Sequence, residues 1–324
     1  MPPGRQTRCF PHRIRPTMHT ELAWVAVAPA FALICIGIAV RRLALVDAAF
    51  WPSAEKLTHY VLFPAFLVHS IGLAGPLDAS SKSTIVLLTG LTLAVLAAVV
   101  LGCRWCAVPH ASFTSIVQGS IRFNSYIFLS VASGLLSRAD YGIAAVVVAY
   151  MVAISNTLVL LSFEHGQAGG RGLVRIVGKV AANPLIVASA FGIVLNLTGW
   201  RLPAAVDQTV DVLGGAALPL SLICVGAALR LPLPRKEAAL VRAGLVTTAI
   251  RLVGFPLLAL TATKAFAVTP LSGNLILLYS VLPCASNSYV LSTQYGGNHR
   301  LMAFVVALST VLSFVPIFLV ARTM

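Results

Sequence analysis

The chain has 324 residues, of which 58% are hydrophobic and 10% charged, and its formal net charge is +14. A soluble domain carries about 25% charged residues, so the composition excludes a soluble globular protein and indicates an all-α polytopic membrane protein in a lipid bilayer. Its basic residues collect between apolar segments, as in the loops of membrane proteins. The positive charge therefore predicts no nucleic-acid partner.

The first 17 residues differ from the rest of the chain, because they contain four Arg and four Pro and no apolar run. They lack the apolar core of a signal peptide. We expect residues 1–20 to form a disordered tail, and Met18 is an alternative start of translation.

Ten apolar segments follow, each long enough for a transmembrane helix of about 20 residues. They lie at 22–40, 57–75, 83–103, 112–135, 140–162, 181–199, 208–229, 239–263, 270–293 and 301–321. We number them spans 1 to 10.

An internal repeat relates spans 1–5 to spans 6–10. The triplet Asn124-Ser125-Tyr126 in span 4 recurs as Asn287-Ser288-Tyr289 in span 9, at an offset of 163 residues. Since five spans is an odd number, the second unit enters the membrane from the opposite side, which makes the repeat inverted. We expect a first unit over 21–162, a cytoplasmic linker over 163–180 and a second unit over 181–324.

The distribution of Lys and Arg predicts the orientation. The loops after the odd-numbered spans carry twelve basic residues, whereas the loops after the even-numbered spans and the C-terminus carry five. The positive-inside rule places the first set in the cytoplasm and both termini outside. We expect a multi-pass protein of the plasma membrane, the inner membrane in a bacterium.

The two triplets are candidate substrate-binding residues, because amide and hydroxyl groups are costly in lipid unless they line a cavity or meet a partner. Proline disrupts a helix, so Pro283 predicts a break in span 9 and Pro64 and Pro219 predict bends in spans 2 and 7. Gly119 predicts a weaker break in span 4. We expect broken helices 4 and 9 to cross at the site.

Two arginines lie deep in the predicted spans, Arg122 in span 4 and Arg251 in span 8. A planar guanidinium suits a carboxylate, and all nine acidic residues lie at the ends of the predicted spans or in loops. Arg122 and Arg251 therefore join the triplets as candidate ligands of an anion. The alternative for Arg122 is that it binds backbone carbonyls, and the alternative for Arg251 is that it hydrates a cavity. His69 in span 2 is either a proton relay or a hydrogen-bonded core residue.

Several motifs together resemble the auxin efflux carrier family, and most closely its bacterial branch of malonate-transporter-like permeases. They are residues 122–126 (RFNSY), 282–291 (LPCASNSYVL), 294–297 (QYGG), 183–186 (NPLI) and 217–222 (ALPLSL). The resemblance implies ten spans in an inverted repeat, crossing broken helices at the substrate site, and transport of a small organic anion.

The sequence thus predicts a secondary transporter for a mono- or dicarboxylate that works by alternating access. A sodium-coupled organic-anion symporter with a fold similar to bile-acid transporters is the alternative. A membrane sensor would need an output domain, and an intramembrane enzyme would need catalytic groups that the motifs do not supply. We expect no enzymatic activity, catalytic residue, cofactor or metal, and a homodimer is an open alternative to a monomer.

Overall fold

The computed structural model describes residues 16–73, 79–164, 178, 182–229 and 238–324, and in these residues all regular structure is helical. Residues 1–15 of the predicted tail and nearly all of the predicted linker lie outside the described residues. Residues 16–20, which the sequence assigned to the tail, are the first turn of a helix that begins at Pro16.

The helices follow the predicted spans, and spans 4 and 9 are each divided between two helices. In chain order they are α1 (Pro16–Arg42), α2 (Phe50–Leu57), α3 (Phe63–Gly72), α4 (Ala79–Trp105), α5 (His110–Ile121), α6 (Ser125–Leu135), α7 (Arg138–Glu164), α8 (Pro184–Thr198), α9 (Ala204–Ala228), α10 (Ala238–Ala249), α11 (Phe255–Ala265), α12 (Pro270–Ser280), α13 (Ser288–Gln294) and α14 (His299–Ala321).

The protein is a multi-pass membrane protein. Among the described residues, six helical stretches are long and apolar enough to cross a bilayer: Thr20–Arg42, Ser81–Trp105, Arg138–Phe163, Ala204–Ala228, Ala238–Ala265 and His299–Ala321. Large apolar side chains such as Val86, Leu197 and Val212 are about 70% exposed. An apolar surface of this kind suits lipid rather than water.

Two of the described spans each contain a π-helical turn that is followed directly by a Phe-Pro pair. The turn Thr58–Leu62 joins α2 to α3, and the turn Ile250–Gly254 joins α10 to α11. Proline lacks a backbone donor and its ring clashes with the carbonyl four residues earlier. The wider turn accommodates Pro64 and Pro256 without ending the helix.

The bend at Pro219 stays a prediction, and α9 continues through Pro219 as one α-helix. The carbonyl four residues upstream belongs to Gly215. Glycine has no Cβ, so its backbone adjusts to the proline ring with little steric cost.

The helices pack as two groups. In the first bundle, α1 packs along α9, and the α2–α3 segment packs along α8 and α9. Gly37 and Gly226 allow a close approach of α1 and α9, because a Cβ on Gly37 would overlap the carbonyl of Ile223 and a Cβ on Gly226 that of Ile34. Small residues at such contacts are typical of membrane helices.

The second bundle contains α4, α5, α7, α10, α12 and α14, with α11 and α13 at its ends. It meets the first bundle where α6 and α14 pack on α1 and where α7 packs on α3. At this boundary Gly134 of α6 lies against Ala26 of α1, and a Cβ on Gly134 would come within 2.7 Å of the Ala26 Cα.

Candidate functional site

The candidate site lies where the two interrupted spans cross. α5 ends at Ile121 and α6 begins at Ser125, while α12 ends at Ser280 and α13 begins at Ser288. The backbone N–H of Asn124 donates a hydrogen bond to the carbonyl of Pro283 (2.9 Å). Each interruption therefore supplies a backbone partner to the other, which satisfies polar groups that would be costly to bury alone.

The position of the first interruption differs from the prediction. α5 continues through Gly119, and the chain becomes extended only at Arg122, three residues later. The reason for a glycine here is packing, because a Cβ on Gly119 would come within 2.5 Å of Thr247 Cγ2 and 2.9 Å of Val305 Cγ1.

A cavity of ≈ 30 Å³ lies at the crossing. Its lining includes five of the predicted site residues and also residues from α7 and α8. The complete lining is Arg122, Phe123, Asn124, Ser125, Tyr126, Val152, Ser155, Asn156, Leu185, Ala285, Ser286 and Asn287. A volume of this size holds about one or two water molecules. The structure therefore shows the site in a closed form.

Arg122 is the only arginine in this lining and is 4% exposed. One terminal nitrogen donates to Asn287 Oδ1 (2.8 Å), and the other lies 3.5 Å from Gln118 Oε1. Both partners are neutral amides. In the part of the chain that the structure describes, no carboxylate forms a salt bridge with Arg122, so its positive charge is hydrogen-bonded but not neutralised.

The two repeat-related asparagines have different roles. Asn124 caps α6, since its side-chain oxygen accepts from the backbone N–H groups of Tyr126 (3.1 Å) and Ile127 (3.2 Å). Asn287 makes no such cap and accepts from Arg122 instead. The difference follows from the sequence, because the position equivalent to Arg122 in the second unit is Ala285.

The amide nitrogen of Asn124 is buried and has no hydrogen-bond partner among the described residues. Because its oxygen is already used by α6 and the residue lines the cavity, this N–H₂ group is a donor available to a ligand. The cavity thus combines an unneutralised cation with an unused neutral donor.

Three other predicted site residues do not line the cavity. Arg251 is fully buried, donates to the carbonyls of Tyr279 and Leu282 (both 2.8 Å), and lies over the rings of Phe255 and Tyr279. Arg251 therefore binds backbone carbonyls and has a structural role in this arrangement.

The other two are Ser288 and Tyr289. Ser288 is buried beside Cys284, with 3.5 Å between its Oγ and the Cys284 sulfur. Tyr289 is 42% exposed, and its ring lies 6.4 Å from that of His299. Of the second triplet, only Asn287 lines the cavity.

The comparison with known families agrees with this architecture. Residues 173–321 match a family model described as membrane transport protein. The second half of this chain matches a transporter family. Together with the similar proteins described next, this match confirms the resemblance to the auxin efflux carrier family.

Two similar proteins are also transporters by name. One is an uncharacterized transporter of Methanocaldococcus jannaschii, 24% identical over 193 residues, which are 59% of this chain and 62% of that protein. The other is named "Putative malonate transporter", from Rhizobium meliloti, and is 27% identical over 139 residues, 43% of this chain and 42% of that protein. The matched regions thus span less than two thirds of either relative. Together with the family match they support a transporter.

Sequence reasoning missed several polar residues near the crossing. Ser155 and Asn156 line the cavity from the middle of α7. Gln118 connects the two interrupted spans, because its side chain donates to Ser292 Oγ (3.0 Å) and its oxygen faces Arg122. The run Ser155-Asn156-Thr157 within an apolar helix was the available signal, since polar residues at membrane depth are rare unless they face the protein interior.

Proposed function

We propose that this protein is a secondary transporter for a small organic anion, such as a mono- or dicarboxylate, and that the anion binds where α5–α6 crosses α12–α13. The family match and the transporter relatives support transport. The malonate name of one relative favours a carboxylate substrate, and the chemistry of the crossing supports the same class.

The observation that carries the proposal is the unneutralised guanidinium of Arg122. A buried cation needs negative charge or strong dipoles to offset the lost hydration. Here its described partners are two neutral amide oxygens. A carboxylate would supply the missing charge and two oxygens in a geometry that matches the planar fork, and the nitrogen of Asn124 would donate to the same group.

The small volume of the cavity supports alternating access. A carboxylate substrate is larger than the space at the crossing, so binding requires the site to open. The boundary between the first and second bundles is the natural place for this movement, because α7 contributes Ser155 and Asn156 while α8 contributes Leu185. Movement of one bundle against the other would open and close the site.

We further propose ten spans arranged as an inverted five-plus-five repeat. If spans 6–10 repeat spans 1–5, a contact between span 1 and span 7 must recur as one between span 6 and span 2. α1 packs along α9, and α3 packs along α8, which are these two contacts. This reciprocity supports the repeat.

The proposed orientation places both termini outside, in the inner membrane if the cell is bacterial. Single cysteines at exposed positions test it in intact cells with a membrane-impermeant thiol reagent. Ala267→Cys lies in a loop that we place outside, and Gly178→Cys lies in the cytoplasmic linker. We expect labelling of the first and not of the second, and the reverse pattern would contradict the orientation.

Uptake into proteoliposomes tests the proposed function. Purified protein should accumulate labelled malonate or a similar carboxylate, and unlabelled carboxylates should compete while neutral or cationic compounds should not. Arg122→Gln, which removes the charge and keeps a polar side chain, should abolish uptake while the protein remains folded. Stimulation by an imposed sodium gradient would favour the sodium-coupled symporter. Uptake of cations with no response to carboxylates would refute an anion transporter.

A further inference from the structure

A second polar cluster lies away from the crossing, between α3 and the start of α9. The ring of His69 stands between two carboxylates, with Nδ1 3.4 Å from Asp207 Oδ1 and Nε2 3.2 Å from Asp211 Oδ1. The imidazole is 17% exposed, whereas the two aspartates are 43% and 65% exposed. The Nδ1 atom is buried and makes no hydrogen bond with the described residues.

This arrangement distinguishes the two protonation states of the imidazole. A neutral ring carries one N–H and one lone pair, so only one of two flanking carboxylates can receive a hydrogen bond. A protonated ring carries two N–H groups and can donate to both. Imidazole is also the side chain that ordinarily gains or loses its proton between about pH 5 and 8.

The cluster opens onto a cavity of ≈ 250 Å³ at the boundary between the two bundles. His69 and Asp211 line it from the first bundle, and Arg138 and Tyr141 line it from α7 of the second bundle. In the proposed orientation this cavity is at the extracytoplasmic mouth. A change in the charge of the His69 cluster on the first bundle therefore acts on Arg138 of the second bundle across the cavity.

The remaining charged groups near His69 are few. Arg201, in the segment between α8 and α9, is 3.5 Å from the carbonyl of Gly72. Asp140 of α7 is partly exposed and accepts from Ser137 (2.7 Å). α8, which also packs on α3, contains no acidic or basic residue. Glu55 and His59 lie ten or more residues away along the same span, or about 15 Å of helix.

We propose that His69, Asp207 and Asp211 form a proton-binding site that controls opening of this mouth. With a neutral imidazole the cluster carries two negative charges, attracts Arg138 across the cavity and holds the bundles together. With a protonated imidazole both carboxylates are engaged by the ring and the attraction to Arg138 weakens. Acidification therefore opens the mouth. The proposal rests on the alternating-access function proposed above.

The test measures accessibility rather than transport, so a wrong substrate assignment would not affect it. Ser70 lines the cavity and is only partly exposed, so Ser70→Cys, which exchanges one small side chain for another, reports on opening. The full-length protein in detergent is treated with a water-soluble thiol reagent at pH 5.5 and 8. Peptide mass spectrometry quantifies the introduced thiol separately from the native cysteines. Ala267→Cys, in an exposed loop, corrects for the effect of pH on thiol chemistry.

After this correction, we expect labelling of Ser70→Cys to be about fivefold faster at pH 5.5. This ratio corresponds to a mouth that is open in about a tenth of the molecules at pH 8 and in about half at pH 5.5. Adding His69→Gln should abolish the difference without changing the melting temperature substantially. Arg138→Gln should give fast labelling at both pH values, because it removes the attraction that holds the mouth closed. Equal corrected rates at both pH values in the parent, or an unchanged difference in His69→Gln, would overturn the proposal.

Discussion

Replacement of Arg122 by lysine tests the proposed anion site most directly, because it retains the charge and removes the fork. In the structure one terminal nitrogen of Arg122 is occupied by Asn287 and the other lies at the limit of hydrogen bonding to Gln118. The guanidinium therefore has donors left for a ligand. A lysine ammonium has three donors in a compact group and cannot bind a carboxylate through two parallel hydrogen bonds.

The expected loss is that of one charge-assisted hydrogen bond, about 1.5–3 kcal/mol. This corresponds to an increase in Kd of about 10- to 150-fold. The Kd is obtained from the rise in melting temperature with carboxylate concentration, since a ligand that binds only the native state stabilises it by mass action. Uptake should fall in proportion at carboxylate concentrations below the wild-type Kd.

Arg251→Lys is the matched control. Arg251 is also buried, but its hydrogen bonds go to the Tyr279 and Leu282 carbonyls and it does not line the cavity. A lysine would leave one buried carbonyl without its donor, at a cost of about 1–3 kcal/mol in the free energy of unfolding. We expect a lower melting temperature and an unchanged Kd. A wild-type Kd for Arg122→Lys, or an equal loss of affinity for Arg251→Lys, would refute this reasoning.

Two further substitutions test the packing and the lining of the cavity. Gly226→Ala should prevent stable folding, because the new Cβ would overlap the backbone of α1. Gly90→Ala, with open space at its Cβ position, should be neutral or stabilising by up to about 1 kcal/mol. Melting temperatures measure both effects, and a stable Gly226→Ala variant would contradict the close approach of α1 and α9. Asn156→Ala should weaken carboxylate uptake at unchanged stability, whereas Thr157→Ala, whose hydroxyl bonds its own helix, should not; equal uptake by the two variants would remove Asn156 from the site.

Much of the architecture could be predicted from local sequence. Apolar runs of membrane-spanning length marked the helices, because the bilayer requires continuous apolar segments. Pro283 lies within the interruption between α12 and α13, where its missing N–H is compatible with an extended chain. Arg122 was conspicuous because a charge at membrane depth needs a specific partner.

What local sequence could not supply was the tertiary arrangement. Whether Arg251 would meet carbonyls or a cavity depended on how span 8 packs beside α12. The pairing of His69 with Asp207 and Asp211 joins residues more than 130 positions apart, and it depended on packing of α3 against α9. Gly119 was misread for a related reason, since a glycine that permits close packing and a glycine that ends a helix look alike in sequence.

The placement of the two arginines has an electrical consequence for the crossing. Four helix ends meet there, and each helix carries partial negative charge at its C-terminus and partial positive charge at its N-terminus. Arg122 is the C-terminal cap of α5, and Arg251 binds the carbonyls at the end of α12. Both negative ends are therefore offset by arginines, and the N-terminus of α6 is left to act on the cavity. The crossing acquires a positive potential without an excess of basic side chains in its lining. In the proposed transporter, this potential would select solutes by the sign of their charge before contacts select them by shape.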